Sequence, residues 1–466
     1  MSRHAPLDAV REALAGRPAW LVGGAVRDEL LGRATDDVDV AVEGDPREPA
    51  RALARATGGA AFRLSGEYGA WRVVGPGHTW HVDLVALRED GIEGDLGKRD
   101  FSINAMAEPL DGGRLLDPFG GQADLRLGRL RMVTPGALAE DPLRTLRAVR
   151  QAVELGLEID RATAEEIARR APELDRVAPE RIFGELKRVV GAQDVRRGLE
   201  LMEAHGITAA VLPEILPLHG VGQSDFHHAD VHDHTLEVLD SVLVIEDDPT
   251  YAGLPDQADE IRALLAEPLA DDLDRGGALR WAALLHDVAK PETRTEGGGR
   301  VGFPGHDERG AEVAAGVLRR LRASERLVEH VAGLIRNHLR VGFLVHARPL
   351  DRRAVWRYLR ATEPRSADVT LLTVADRLAT RGRNADAAIE GHLDVARTML
   401  DAAFAERAAP RPAPIVRGDE LARELGMEPG PELGRLLAQL AEDRYAGEIS
   451  TREDALRRAR ELRCAG

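Results

Sequence analysis

Two groups of residues have the types and spacing to do chemistry. The first is the run TDDVDVAV, Thr35 to Val42, where three carboxylates occur within four residues and lead straight into apolar, β-branched chain. Side chains alternate along a strand, so Asp37 and Asp39 share one face while Asp36 and Val38 take the other. Two close carboxylates repel unless a cation lies between them. Hard oxygen ligands suit Mg²⁺, which commonly uses a few carboxylates plus substrate phosphates. Just upstream, LVGGAVRD places Gly23 and Gly24 in a turn that lets a ligand approach the backbone closely. The helix start that follows, with Arg27 one turn in, makes an anion site. A Gly-Gly turn alone is ordinarily just a tight turn. Joined to the paired acids it makes a coherent nucleotide–metal site, in which two metals could activate an attacking hydroxyl and stabilise a leaving pyrophosphate. Asp83, in the apolar strand WHVDLVAL, is a candidate third carboxylate from across the sheet; a strand-edge surface acid is an equally good reading.

The second group is a spaced His/Asp series: HHADVHDHTLEVLD (227–240), LLHDVAKPETR (284–294), GHDERG (305–310), RNHLR (336–340) and TVADRLATRG (373–382). One such His would be an ordinary polar residue. An ordered set that ends in an isolated Asp on an apolar helix is different.

These groups need distinct scaffolds. Residues 20–90 alternate short apolar runs (Trp20–Val22, Val38–Val42, Trp71–Val74, Trp80–Leu87) with Gly-rich turns and one or two helical patterns, which predicts a mixed α/β domain. From about 137 the pattern turns helical. Leu143, Leu146, Val149 and Val153 line one helix face, and helices are predicted over 161–171, 179–191 and 195–205. The His-rich region, about 219–395, is helical, ERAAPRPAPIV is a Pro-rich break, and a small helical unit closes the chain over about 415–463.

With 466 residues the chain exceeds one ordinary core. Its 44% hydrophobic and 30% charged content is that of a soluble globular protein. MSRHAPLDAVREALAG lacks the apolar run of a signal peptide, and no window is long and apolar enough for a membrane span. Cys464 is the only cysteine, which excludes an internal disulfide and a Cys-based zinc site and leads us to expect a cytoplasmic protein. The net charge of −16 argues against a general nucleic-acid coat. Residues 126–197 nonetheless carry 15 Arg and Lys against 12 Asp and Glu, either an ordinary mixed-charge helical surface or a local basic groove.

Several long motifs then occur in order: LVGGAVRD, DVDVA, RDFSINAMA (99–107), DPFGGQADLRLGRLR (117–131), EDPLRTLRAVR (140–150) and ERIFGELKRVV (180–190). Their succession resembles that of class II tRNA nucleotidyltransferases and the related bacterial poly(A) polymerases. The tail VRGDELARELGMEPGPELGRLLAQLAEDRYAGEISTREDAL resembles the C-terminal segment of the same enzymes. The resemblance implies an α+β fold: a nucleotidyltransferase head with a mixed sheet (1–136), a helical neck and body (137–218), a helical HD domain (219–400) and a helical tail (411–466). It implies addition of nucleotides to the tRNA 3′ end without a template, with tRNA and CTP, or also ATP, as partners and Mg²⁺ held by Asp37 and Asp39. Gly23, Gly24, Arg27, Arg99, Asp100 and Asn104 look like the family's nucleotide contacts, and Arg147 and Arg150 could hold the triphosphate.

Asp141 and Arg144, three apart, are neighbours on a helix surface. Cytosine and adenine each offer an amino donor beside a ring-nitrogen acceptor, which an Asp–Arg pair can satisfy; uracil and guanine offer the reverse. The residues alone leave this open, because Asp141 before Pro142 also reads as a helix cap with a first-turn proline. The resemblance favours base reading. One departure bears on specificity. Full CCA-adding relatives carry a long flexible loop before the RRDFT-like motif, whereas only EDGIEGDLGK joins Arg88 to Arg99 here. That shortening resembles the CC-adding branch; a full CCA-adding or A-adding enzyme and a poly(A) polymerase are the alternatives. The His/Asp series resembles the HD superfamily of metal-dependent phosphohydrolases. Carried over, His234, His286, Asp287 and Asp376 would hold a divalent transition metal or Mg²⁺. Lys290, read as sharing a helix face with His286, would meet a phosphate, and His306 and His338 would take a second metal or the substrate. A phosphohydrolase of RNA ends with a non-catalytic head is the reading from another class.

Overall fold

The alternation along Asp37–Val42 is what builds the first sheet. The computed structural model describes residues 5–33, 37–64, 69–87, 91–224, 227–297, 300–409 and 412–464. Asp36 and Arg88 lie outside these residues. The chain forms two compact units, Met1–Val211 and Leu212–Gly466.

In the first unit a six-stranded sheet comprises β1 (Ala19–Val22), β2 (Asp37–Val42), β3 (Ala60–Arg63), β4 (Trp71–Val74), β5 (His81–Ala86) and β6 (Ala107–Pro109), in the order β3-β4-β5-β2-β1-β6. β2 and β5 are parallel and the other pairs antiparallel, so the sheet is mixed as expected. Val38, Val40 and Val42 point to one face and are buried with Leu21, Val73, Val82 and Leu84. Helices Ala5–Ala13, Gly24–Leu30 and Arg47–Thr57 supply apolar side chains to that face through Val10, Val26 and Leu53. Burying a valine or leucine contributes about 1.5–3 kcal/mol, so this register is strongly fixed. A one-residue slip would bring Asp39 into the core. The opposite face carries Val22, Ala41 and Ala107, packed with Leu96, Ala105 and Val133.

The segment before Arg99 is ordered by the same packing. Residues Gly91–Gly97 form a short helix that buries Leu96 completely, with Ile92 and Phe119 against the same cluster. Leu96→Ala is therefore expected to cost about 2–5 kcal/mol, read as a lower denaturant midpoint at unchanged slope.

Helix Leu143–Leu155 buries Leu143, Leu146, Val149 and Val153, the face read from the sequence. Arg161–Arg170, Pro179–Val190 and Val195–Ala204 follow at the expected places. In the second unit, Val231–Asp247 packs on Ser366–Ala379 and Arg275–Leu285, and His306–Arg320 pairs with Glu325–Asn337. The tail helices Gly418–Leu425, Pro431–Ala446 and Arg452–Cys464 share a small core around Leu421, Leu436 and Leu456. Buried Asp443 ties them to helix Arg352–Thr362 through Arg353 (2.7 Å) and to Arg458 (2.8 Å). No helix among the described residues is long and apolar enough to cross a membrane.

Candidate functional sites

On the face of the sheet opposite the valine core lies a cleft of about 530 Å³. Asp39 and Ala41 of β2, Val22 and Val85 form its floor. Seven cations (Arg27, Lys98, Arg99, Arg144, Arg147, Arg150 and Arg188) outnumber four carboxylates (Asp28, Asp39, Asp95 and Asp100) around it. A cleft so biased favours a polyanion.

The glycine turn fits that role. Gly23, at the head of helix Gly24–Leu30, has φ 71°, and a Cβ there would lie 2.5 Å from an Arg99 nitrogen and 3.4 Å from an Asp39 oxygen. Only glycine gives both the backbone angle and the space. Arg27 donates to Asn104 Oδ1 at 2.7 Å and pairs with Asp28 at 2.8 Å. Asn104 donates in turn to Asp100 Oδ1 (2.9 Å) and to Gln151 Oε1 (3.0 Å). Asp100 also accepts from the Phe101 amide (2.8 Å) and pairs with Arg147 (3.1 Å). Burial pushes the Asp100 carboxyl up, but Arg147, Asn104 and the Phe101 amide outweigh it and hold it below its ordinary value. Arg99 pairs with Asp95 at 3.3 Å, and its buried Nε has no hydrogen-bond partner.

Among the carboxylates, Asp37 opens β2 opposite His81, and its side chain lies outside the described residues. Asp39 pairs in register with Asp83, so the two share a face. Asp83 is neither on an edge strand nor at the surface: it is buried, and Arg72 holds both its oxygens at 2.7 Å. Arg72 thus neutralises the carboxylate that the sequence offered as a third metal ligand.

Asp141 and Arg144, the pair expected to read the base, are not joined to each other. Asp141 accepts the Leu143 amide at 3.2 Å, but the N-cap of helix Leu143–Leu155 is Pro142, one residue after the cap expected from the sequence, and Asp141's other oxygen accepts from Arg181 at 2.6 Å. Arg144 faces the cleft, where it donates to the carbonyls of Ala137 (2.7 Å) and Lys98 (2.8 Å). Helices Leu143–Leu155 and Pro179–Val190 are laced by charge along their length: Arg150–Glu185 at 2.6 Å, Arg147–Glu185 at 3.9 Å and Glu154–Arg188 at 2.8 Å. Arg150 is thus buried and paired, and burial draws its guanidinium below the ordinary value against the pull of Glu185 and Glu154.

Sequence reasoning missed Gln151, Lys98, Asp95, Glu185 and Arg188. Gln151 lies seven residues after Arg144, two helical turns on the same face. Arg181, Glu185 and Arg188 repeat at four and three, which also put them on one stripe.

The second unit gathers every member of the His/Asp series. His234 Nε2 is 3.0 Å from Asp376 Oδ1 and 3.8 Å from Asp287; His286 Nε2 is 3.1 Å and His306 Nε2 3.5 Å from Asp287. His338 stacks edge-on to both His286 and His306, with ring centres 5.4 and 5.2 Å away. Two ligand triads result, His234–His286–Asp287 and Asp287–His306–His338, with Asp287 common to both. Nδ1 of His286, His306 and His338 lies 2.8, 2.7 and 2.6 Å from the carbonyls of Ala283, Phe303 and Ile335, each three residues back. A carbonyl only accepts, so each Nδ1 bears a proton, which leaves Nε2 as the nitrogen turned inward, the one that would bind a metal in the neutral ring. Nε2 of His286 and His306 converge on Asp287, whose carboxylate is engaged by His286 and the Lys290 ammonium, and the buried imidazoles and carboxylate form a donor set that fits a divalent ion.

Burial and the neighbouring His286 and His306 push His338 down to about 4. Burial raises Asp287, but His286, Lys290 and His306 outweigh it and hold the carboxyl well below its ordinary value. One expectation needs correction. His286 and Lys290 do not share a helix face: the helix ends at Leu285, residues 286–289 form a turn, and Lys290 opens a new short helix, Lys290–Thr293. The turn still brings Lys290 to the cluster, 2.6 Å from Asp287 and 2.6 Å from Gln223 Oε1. His227, edge-on to His234 at 5.2 Å, is a further member that the series did not single out.

Three family models match the chain. The poly(A) polymerase head domain matches residues 19–71 and 78–131, the probable RNA and SrmB-binding site of polymerase A matches 156–218, and the HD domain matches 231–381. An A-adding tRNA nucleotidyltransferase of Deinococcus radiodurans is 37% identical over 444 residues, covering 94% of each chain. A CC-adding tRNA nucleotidyltransferase of Thermus thermophilus is 34% identical over 447 residues, covering 94% of this chain and 92% of the relative. The Thermotoga maritima CCA-adding enzyme complexed with tRNA superposes with a TM-score of 0.61 at 20% identity, over 98% of this chain and 95% of that one. At that identity the likeness bears on the fold alone.

Proposed function

The chain belongs to the tRNA nucleotidyltransferase family, with a poly(A) polymerase-type head and an HD domain, and from that premise we propose that it adds CC to tRNA 3′ ends. The observation that carries the site is the cation-rich cleft over Asp39, with Gly23 held open beside Asp39 and Arg99. In this reading Asp37 and Asp39 hold Mg²⁺, which when bound supplies charge neutralisation at the triphosphate and acidifies the attacking hydroxyl. The RNA 3′ oxygen forms its bond to the α-phosphorus of CTP as the bond to the β-phosphate bridge breaks and pyrophosphate leaves. Arg27, Arg99 and Arg147 take the phosphates, Asp100 and Asn104 the ribose side, and Asp141 with Arg144 the base. Asp83, held by Arg72, acts as a spacer on the same sheet face rather than as a primary ligand.

The choice of CC rests on the segment before Arg99. A helix anchored by buried Leu96 stands where a long mobile loop would be needed to re-shape the base site for a second nucleotide. A addition is the second reading, favoured by the relative at 37% identity. tRNA transcripts ending at the discriminator base, C or CC, each given CTP or ATP separately, decide it. We expect CTP to extend the first two and ATP to extend none; efficient use of ATP on the CC end would overturn the CC reading. We place the protein in the cytosol, where its Cys464 stays reduced.

For the second unit we propose a phosphohydrolase acting on RNA-end phosphoesters, in which His234, His286, Asp287, His306 and His338 would hold divalent metal. The metal, when bound, supplies Lewis acidity and an activated water. Lys290 and His227 border the cluster and suit the phosphate.

A further inference from the structure

Gln151 lines the cleft over Asp39 and is only 2% exposed. A run of donors and acceptors fixes which way its amide points. Arg27 can only donate, so the Asn104 atom it meets at 2.7 Å is the oxygen, Oδ1. Asn104 Nδ2 then faces the Asp100 carboxylate at 2.9 Å and Gln151 at 3.0 Å. Both hydrogens of that amide are donated there, so Gln151 turns its oxygen, Oε1, toward Asn104. Its Nε2 is left on the other side, and among the described residues no hydrogen bond reaches it. Buried polar groups are nearly always paired, and a buried donor without a partner on a cleft wall marks a place for a ligand atom.

That atom must be an acceptor. Phosphate is already matched by full charges, Arg27, Arg99 and Arg147. Gln151 offers a neutral donor and is held by Asn104, on the ribose side of the proposed nucleotide. A ribose hydroxyl oxygen is the neutral acceptor on that side. We infer that Gln151 is a specificity-determining residue: its Nε2 donates to a ribose hydroxyl of the incoming nucleotide, so that the cleft selects the ribonucleotide over its deoxy counterpart. A site built to bond a hydroxyl penalises the analogue that lacks it, because the site's own polar group is then left unpaired. This rests on the nucleotide-binding role proposed for the cleft.

The test is a cycle between side chain and hydroxyl. Affinities of CTP, 2′-deoxy-CTP and 3′-deoxy-CTP with Mg²⁺ are measured by titration calorimetry, without RNA, on the wild type and on Gln151→Met. Methionine keeps the length of the side chain and donates nothing. The wild type should bind CTP roughly fivefold more tightly than one of the deoxy analogues, the scale of a single hydrogen bond. Gln151→Met should weaken CTP by the same factor and leave that analogue unmoved, and the unmoved analogue names the hydroxyl. Gln151→Glu keeps an oxygen toward Asn104 but replaces the donor by an acceptor, and it should lose the same preference. Each preference is a ratio within one protein, so a partly unfolded variant does not alter it. A preference for CTP retained in Gln151→Met, equal weakening of all three nucleotides, or no preference in the wild type would overturn the contact. If the wild type binds CTP and discriminates while Gln151→Met keeps that discrimination, only the role of Gln151 is wrong; if the wild type binds none of the three, the nucleotide cleft itself is wrong.

Discussion

Replacing Asp39 by Asn is expected to lower nucleotide addition on the order of 10³-fold while leaving tRNA affinity unchanged. The reasoning is local. Asp39 lies on the cleft face of β2, between Val38 and Val40, which are buried on the other face. Asparagine keeps the shape, so the valine core and the pairing with β1 and β5 stay as they are. What is lost is a negative charge on the floor of a cleft otherwise dominated by cations. On the proposed reading, the carboxylate that would hold a divalent ion there is gone, and the negative charge developing on the leaving pyrophosphate would lose the metal's charge stabilisation. Primer extension with CTP under single-turnover conditions measures the effect. Loss of tRNA binding in parallel would instead indicate a damaged fold.

The second large effect is expected at Asp287. On the reading proposed for the second unit, Asp287→Asn should abolish divalent-metal binding there, because both candidate triads include this carboxylate, and should cut the proposed phosphoester hydrolysis by about 10²-fold. Nucleotide addition should persist. The substitution also strands a charge: Lys290 is buried and its ammonium lies 2.6 Å from Asp287. A buried ion left without its partner costs about 3–5 kcal/mol, so the single variant should also be less stable. The double variant Asp287→Asn with Lys290→Met removes that cost and separates metal loss from destabilisation. Metal content by elemental analysis, alongside Tm with and without added Mn²⁺, gives the reading. A divalent ion should raise the wild-type Tm and leave both variants unmoved.

Where one periodicity controls the outcome, the sequence was legible. Strand alternation put Asp39 opposite the valines, and three- and four-residue spacing found the buried face of helix Leu143–Leu155. The His/Asp series converges as a group because each histidine sits at or near a helix end and reaches inward from a different helix. What sequence could not supply was pairing across elements. Nothing near Asp83 in the chain announces that Arg72 on the adjacent strand takes both its oxygens. Nothing near Asp141 announces Arg181, forty residues away. The break between His286 and Lys290 was missed because LLHDVAK is apolar enough to read as continuous helix, whereas the chain turns there to bring Asp287, His286 and Lys290 into one cluster. Arg150 is a like case: helical spacing aimed it at the cleft, but Glu185 from a second helix claims it.

The central claim is that the Asp39 cleft extends tRNA. Its most direct test supplies a tRNA transcript ending at the discriminator base with Mg²⁺ and CTP, and follows product length and pyrophosphate together. The account predicts an extension of two nucleotides with one pyrophosphate released per nucleotide, both abolished in Asp39→Asn. No extension by the wild type, or equal extension by wild type and Asp39→Asn, would contradict it.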